Sequence, residues 1–227
     1  MSKVSAKELK ALNATWADLQ TAFKSNKTKS YQWRYAQLGA LKLFLKEHEN
    51  SLKEALKEDL GRSTFEAIGL DILGCTIEID YMMKNLKSWM QPTNTEVPIW
   101  MAPASSEIVY EPFGLCLILG AFNYPVALTL SPMVGAIAAG NCVLVKPSEM
   151  TTAVEKVLVD HLTSYLDGDC IKIVTGGVAM TTEVLKLRWD KIFFTGSPRV
   201  GKIVMKAAAE HLTPVSLELG GKSPTII

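Results

Sequence analysis

An asparagine and a glutamate each follow an apolar run and could take part in catalysis. Asn123 comes shortly after GLCLILGA (114–121), and its side-chain amide can donate a hydrogen bond to a developing oxyanion. The local alternative is an asparagine that satisfies the backbone of its own turn. Glu218 ends the run PVSLE, where apolar surroundings would disfavour the charged carboxylate and tune it as a general base. Its alternative is an ordinary glutamate at the edge of a sheet.

A lysine and a glutamate follow the apolar run NCVLV (141–145). Lys146 and Glu149 stand three residues apart, so that a cation and a carboxylate come together at one strand end. A carboxylate can hold ribose hydroxyls, and a lysine can hold a hydroxyl or a phosphate. The alternative is a charged surface turn in which Ser148 or a nearby threonine caps the following helix.

A glycine-containing turn follows the run KIFF (191–194). It begins at Gly196, continues through Ser197 and reaches Gly201, with Pro198 placed as the first residue of a helix. Backbone N–H groups at such a helix start suit a pyrophosphate. The spacing is neither the G-x-G-x-x-G fingerprint nor a complete P-loop, so the turn alone is a weak signal.

These polar positions belong to a region in which apolar runs alternate with helical stretches. The runs predict strands at 107–112, 114–121, 141–147, 171–177, 191–197 and 214–221, and helices are predicted at 126–139, 152–166, 179–187 and 198–211. Continuous apolar strands separated by helices indicate an α/β fold with a Rossmann-like parallel sheet covered on both faces. Such sheets bind ligands beyond the carboxyl ends of their strands, which is where the polar residues fall.

The beginning of the chain has a different sequence pattern, in which apolar residues recur at helical spacings. The pattern predicts helices over about 9–23, 31–60 and 66–90, and it places Gly61 as the C-cap of the second. Prolines at 92, 98 and 103 predict an extended connection after them. We therefore divide the chain into a helical N-terminal region at 1–104 and an α/β core at 105–227.

Composition excludes several classes of protein. The 227 residues include 24 Lys+Arg and 23 Asp+Glu, a balance that argues against a dedicated nucleic-acid binder. The four cysteines form no CxxC pair, and the three histidines have no partners at metal spacing, so no metal site is predicted. The uncharged stretch 112–145 is interrupted by prolines and glycines, which favours buried elements over a membrane span. No secretory signal is visible, and the cytoplasm is the expected location.

Four motifs together resemble the aldehyde dehydrogenase superfamily, and more closely its class 3 branch of fatty and aromatic aldehyde dehydrogenases. They are FNYP (122–125), SPMVGAIAAGNCVLVKPSE (131–149), FFTGSPRVGKIVMKAAAEHLTPVSLELGGKSP (193–224) and the weaker DLGRSTFEA (59–67). The resemblance covers nearly the whole chain in the same order. Two departures, Phe122 before the asparagine and Pro198 in place of a common threonine, lie beside the cofactor site and leave cofactor preference open.

The resemblance implies a role for each motif residue in the oxidation of an aldehyde to a carboxylic acid. Asn123 would donate to the oxyanion of a thiohemiacetal, and Glu218 would activate the water that hydrolyses the thioester. Lys146 and Glu149 would hold the adenosine ribose of the cofactor. The turn from Gly196 to Gly201, with Ser197, would lie against the cofactor phosphates, and the carbonyl of Leu219 would contact the nicotinamide carboxamide. The cofactor would be NAD or NADP. A carboxylate at 149 should favour NAD by repelling a 2′-phosphate, although the resemblance to the class 3 branch implies that both cofactors can be accepted.

The nucleophilic cysteine of the family would lie beyond Glu218, in a catalytic domain absent from this chain. Cys75, Cys116, Cys142 and Cys170 do not match its position, and the chain alone is expected to be inactive. Three hypotheses follow: an incomplete chain of a catalytic enzyme, one half of a split enzyme whose second chain supplies the cysteine, or a non-catalytic nucleotide-binding or structural relative. The complete enzyme would act on a small-molecule aldehyde as a homodimer, and its membrane attachment through a C-terminal tail stays open.

Overall fold

The computed structural model describes residues 4–226, so residues 1–3 and 227, at the outer ends of the two predicted regions, lie outside it. The helices are α1 (Ala6–Lys24), α2 (Tyr31–Glu47), α3 (Glu49–Leu60), α4 (Thr64–Glu66), α5 (Leu73–Trp89), α6 (Ala127–Ala138), α7 (Thr152–Val157), α8 (Thr163–Tyr165), α9 (Val178–Lys186) and α10 (Pro198–Ala209). The strands are β1 (Thr93–Thr95), β2 (Ser106–Ile108), β3 (Leu115–Leu119), β4 (Cys142–Lys146), β5 (Ile171–Ile173), β6 (Lys191–Thr195) and β7 (Val215–Glu218).

Five of these strands form a parallel sheet in the order β5-β4-β3-β6-β7. Strands β3 and β4 are buried along their whole length, as their uninterrupted apolar runs require. The order reverses between β4 and β6 on either side of β3, so the crevice at the carboxyl ends opens at this switch point. The predicted α/β class with a Rossmann-like parallel sheet is confirmed.

The prediction that residues 107–112 form a strand of that sheet is wrong. Only Ser106–Ile108 of this region is a strand, and it pairs antiparallel with Thr93–Thr95 in a separate ribbon. The run contains Glu107, Glu111 and Pro112, and neither charges nor a residue without an N–H suit a strand buried between two others. All three residues of β2 are exposed.

The N-terminal helices follow the predicted pattern, with breaks that the pattern did not show. Ser5 and Glu8 form a reciprocal capping box at the start of α1. The helix predicted over 31–60 is divided at His48 into α2 and α3. Gly61 ends α3 with φ at +68°, a left-handed conformation that glycine adopts without strain, so its predicted role as C-cap is confirmed. Between α4 and α5, residues 67–72 form a wider, π-helical turn.

A single apolar core extends from the N-terminal helices into the sheet. It includes Leu12 and Phe44 from the helices as well as Leu117 and Val143 from the strands. Polar contacts cross the same boundary, since the Trp33 indole N–H donates to Asp167 over 2.8 Å. None of the helices in the described part of the chain is long and apolar enough to cross a membrane.

Candidate active site

The carboxyl ends of β3, β4, β6 and β7 meet at one edge of the sheet. Backbone hydrogen bonds join them in pairs: Gly120 donates to the Lys146 carbonyl and Gly196 donates to the Glu218 carbonyl, each over 3.0 Å. Leu119 at the end of β3 lies beside Lys146 on one side and Phe194 on the other. Because strands are spaced by about 4.8 Å, the edge from β4 to β7 is about 14 Å long, which suits an elongated ligand.

Lys146 and Glu149 form an ion pair at the β4 end of this edge. The Lys146 side chain is only 4% exposed, and its Nζ donates to the Pro147 carbonyl over 2.8 Å and to Glu149 Oε2 over 2.9 Å. Partial burial opposes ionisation of Glu149, but the hydrogen bond and positive charge of Lys146 outweigh it and hold the pKa of this carboxyl below its usual range. The exposed carboxylate therefore presents acceptor oxygens at a fixed position.

Neither Ser148 nor the neighbouring Thr151 caps the next helix with its side chain, contrary to the alternative interpretation, and Thr151 Oγ1 donates to the Ser148 carbonyl over 3.4 Å. Ser148 Oγ accepts from the Met150 N–H within its own turn. The first N–H groups of α7 instead donate to Asp59, at 3.1 Å from Ala153 and 2.8 Å from Val154. A carboxylate from α3 thus holds the helix that follows the Lys146–Glu149 pair.

Asn123 lies in the exposed loop between β3 and α6, and other residues hold the backbone of that loop. Its carbonyl accepts a 2.5 Å hydrogen bond from Arg62. The guanidinium of Arg62 also lies 4.6 Å from the centre of the Tyr124 ring and pairs with the fully buried Asp71. Asp71 Oδ1 accepts from the N–H groups of Val126 and Ala127, over 3.1 and 3.0 Å, where α6 begins.

Within residues 4–226 the side-chain amide of Asn123 makes no hydrogen bond, so it does not satisfy its own turn. Sequence reasoning missed the roles of Arg62 and Asp71. Arg62 belonged to the weakest of the four motifs and had no assigned function. Asp71 could have been recognised from the sequence, because it is the only charged residue in the apolar stretch AIGLDILG (67–74). A charge that is buried with such a stretch requires partners.

The turn from Gly196 to Gly201 enters α10 as predicted, with Pro198 as its first residue. A Cβ on Gly196 would lie 2.6 Å from Phe194 Cζ, so a larger residue there would require the Phe194 ring to move. Ser197 Oγ accepts from the Val200 N–H over 3.4 Å, and this leaves its hydroxyl proton able to donate elsewhere. Gly201 is buried, and a Cβ on it would lie 3.0 Å from Leu219 Cδ2, so its small size lets α10 approach β7 closely.

Glu218 is exposed, contrary to the expectation that apolar surroundings would enclose it. It ends β7, which is the edge strand of the sheet, and no element of the described chain covers its outer side. Glu218 and Phe193 line a cavity of about 550 Å³ on the sheet face beside α6. A second cavity of about 560 Å³ is lined by Arg34, Trp89 and other residues, and none of the predicted site residues lines it.

All four cysteines are buried, and none lies at the carboxyl end of a strand. Burial raises the pKa of the Cys75 thiol to about 11 and that of Cys116 to about 12. Cys142 begins β4 and Cys170 precedes β5, at the opposite end of these strands from Lys146. None of these thiols stands at the carboxyl ends of the strands, where the candidate site lies. Among residues 4–226, no group of three or more His, Cys, Asp or Glu side chains could hold a metal ion.

A doubly wound sheet with polar residues at its switch point defines the class of α/β nucleotide-binding folds. The sequence profile described as the aldehyde dehydrogenase family matches residues 1–227, and the chain belongs to this family. Mouse (Mus musculus) aldehyde dehydrogenase family 3 member B2 is 48% identical over 214 residues, which are 94% of this chain and 45% of that protein. Family 3 member H1 of Arabidopsis thaliana is 42% identical over 92% of this chain and 43% of its own length.

A solved structure shows the same fold. The substrate-bound state of Staphylococcus aureus AldH superimposes with a TM-score of 0.92 at 39% identity, covering 94% of this chain and 46% of that one. The chain thus spans less than half the length of these relatives and corresponds to their N-terminal part. The predicted resemblance to the aldehyde dehydrogenases is confirmed.

Proposed function

We propose that these residues bind NAD or NADP and form the cofactor side of an enzyme that oxidises a small-molecule aldehyde to a carboxylic acid. The observation that supports the proposal is that the predicted site residues lie at one edge of the sheet, in a chain that belongs to this family. There the Lys146–Glu149 pair, the Gly196 turn, Asn123 and Glu218 follow four neighbouring strands.

The residues present fit a dinucleotide. The exposed Glu149 carboxylate, held by Lys146, suits the hydroxyls of the adenosine ribose because it can only accept hydrogen bonds. The Ser197 hydroxyl and the start of the 12-residue helix α10 suit the phosphates. The Leu219 carbonyl would accept from the nicotinamide carboxamide. When bound, the nicotinamide supplies the acceptor for the hydride of the aldehyde.

Asn123 and Glu218 assist the reactions that take place at the aldehyde carbon. Asn123 donates its side-chain N–H to the oxyanion that forms when a thiolate attacks the carbonyl. Arg62 and Asp71 keep the Asn123 backbone in place while this charge develops. Glu218 takes a proton from the water that hydrolyses the thioester, and its exposure leaves it accessible to that water.

The thiolate itself comes from outside these 227 residues. The four thiols of this chain are buried, and the described geometry places none of them at the sheet edge. We therefore propose that the chain binds the dinucleotide but does not oxidise aldehydes without a further segment or a second chain. Assembly of the complete enzyme as a homodimer remains part of this proposal.

Titration of the purified protein with NAD and NADP by isothermal calorimetry tests the binding step. Lys146→Met should weaken dinucleotide binding, whereas the matched control Lys84→Met, which changes an exposed residue of α5, should not. Thermal unfolding of both variants shows whether each is folded. Failure of the unmodified protein to bind either dinucleotide would contradict the proposal.

Aldehyde oxidation is measured separately, by reduction of the dinucleotide with short aliphatic and aromatic aldehydes. We expect no turnover from these 227 residues alone. Turnover by a longer form or with a second chain should fall in Glu218→Gln and Asn123→Ala variants. Binding without oxidation in every form of the protein would favour the non-catalytic alternative.

A further inference from the structure

Two of the four cysteines lie side by side at the amino ends of neighbouring strands. Cys142 begins β4, and Cys170 directly precedes β5, its neighbour in the sheet. The next residues, Val143 and Ile171, are in register, and the Val143 N–H donates to the Cys170 carbonyl over 2.8 Å. Opposed residues of parallel strands point to the same face, and the strands are about 4.8 Å apart, so the two thiols are neighbours within the core.

This placement suits a disulfide bond between them. The Cα atoms that a disulfide joins are usually about 4.4–6.8 Å apart, a range that includes opposed residues on neighbouring strands. The other two cysteines are placed elsewhere. Cys116 follows Leu115, which is in register with Cys142, so the Cys116 side chain points to the opposite face of the sheet. Cys75 lies on α5, where its thiol donates to the Asp71 carbonyl over 3.3 Å.

The surroundings of the pair make Cys170 the more reactive thiol. Both cysteines are buried, but Cys170 directly follows residues 168–169, which are exposed, and Lys27 is held beside this turn by an ion pair with Asp167 of 2.7 Å. Interaction with the Cys142 thiol outweighs burial and lowers the pKa of the Cys170 thiol, and the positive charge of Lys27 acts in the same direction. The same interaction, together with burial, raises the pKa of Cys142. A small oxidant that enters where the turn opens locally therefore meets Cys170 as the better nucleophile.

We propose that Cys142 and Cys170 form a redox-sensitive dithiol, which a hydroperoxide converts to an intramolecular disulfide. The bond closes a ring over residues 142–170 and ties the start of β4 to the start of β5. It lies at the opposite end of β4 from Lys146, so the inference does not depend on the proposed binding of a dinucleotide.

The oxidation proceeds in two balanced steps. The Cys170 thiolate attacks one oxygen of the hydroperoxide, so that an S–O bond forms as the O–O bond breaks, and the leaving oxygen takes up a proton. The Cys142 sulfur then attacks the sulfenic acid on Cys170. The S–S bond forms as the S–O bond breaks, and the second oxygen leaves as water with the proton of Cys142. The two thiols lose two electrons, which reduce hydrogen peroxide to water.

The test exposes the reduced, folded protein to hydrogen peroxide and then alkylates the remaining thiols in denaturant. Mass spectrometry should show the loss of two hydrogen atoms and the protection of two of the four thiols, and peptide mapping should join Cys142 to Cys170. Dithiothreitol should reverse both changes. Because the ring restricts the unfolded chain, the oxidised protein should melt roughly 5–15 °C above the reduced protein. This comparison uses the unmodified protein, so it does not depend on the folding of any variant.

Single replacements assign the two roles. Cys142→Ala should leave Cys170 as a sulfenic acid that dimedone traps, whereas Cys170→Ala should abolish oxidation at Cys142. The matched control Cys116→Ala removes another buried thiol and should form the same disulfide as the unmodified protein. The proposal is overturned if peroxide forms no bond between Cys142 and Cys170 in the unmodified protein, or if the bond formed includes Cys75 or Cys116. An oxidised form that melts below the reduced form also overturns it, because the native geometry then does not accept the bond.

Discussion

The replacement Asp71→Asn removes one charge from the contacts that hold the Asn123 loop. Asp71 is fully buried, pairs with Arg62 and accepts from two backbone N–H groups where α6 begins. The asparagine side chain would fill nearly the same volume, and its amide oxygen could still accept from the backbone. The Arg62 guanidinium, whose side chain is 11% exposed, would lose its carboxylate partner.

The expected cost is about 3 kcal/mol of unfolding free energy. Breaking a buried ion pair by removing one partner typically costs about 3–5 kcal/mol, because the other charge stays buried without compensation. The lower end applies because the amide oxygen preserves part of the cap of α6. For a protein of this size each kcal/mol lowers the melting temperature by about 2–4 °C, so Asp71→Asn should melt about 6–12 °C below the unmodified protein.

Thermal and urea unfolding followed by circular dichroism measure this difference. The matched control is Asp80→Asn on α5, because Asp80 pairs with Lys42 at the surface and its side chain is 53% exposed. An exposed pair is worth less than about 1 kcal/mol, so the control should melt within a few degrees of the unmodified protein. Equal losses in the two variants would refute the reasoning that burial makes the Asp71 pair important.

Two further results are expected from the burial and charge of other residues. All four thiols are buried, and burial raises the pKa of Cys75 to about 11 and of Cys116 to about 12, so native protein at pH 8 should react slowly with Ellman's reagent and should be labelled at all four cysteines only in denaturant. Rapid labelling of the native protein would contradict this. Partial burial raises the pKa of the Asp167 carboxyl, but hydrogen bonds from Lys27 and Trp33 outweigh this effect and hold the pKa below its ordinary value. The ionised carboxylate therefore stabilises the folded protein above the unfolded pKa of about 3.9, and this stabilisation is lost as pH falls through the lower folded pKa. Asp167→Asn should therefore lower the melting temperature at pH 7 and converge with the unmodified protein in acid, whereas a constant difference across pH would exclude the charge as the cause.

Local patterns in the sequence were sufficient to predict most elements of the fold. The apolar runs 115–119 and 142–145 predicted buried parallel strands because strands covered on both faces have continuous apolar sequences. Gly61 and Pro198 marked a helix end and a helix start, since their backbone preferences act within one turn. The run at 107–112 misled because a β-branched composition does not distinguish a sheet strand from an exposed ribbon.

The sequence by itself therefore determined the fold class and the strand ends at which the predicted site residues stand. It could not show which distant residues meet there, because such contacts depend on the packing of separate elements. Only the tertiary structure paired Arg62 with Asp71 beneath the Asn123 loop and brought Asp59 to the start of α7. The exposure of Glu218 was decided in the same way, since the burial of an edge strand depends on what covers it and not on its own residues.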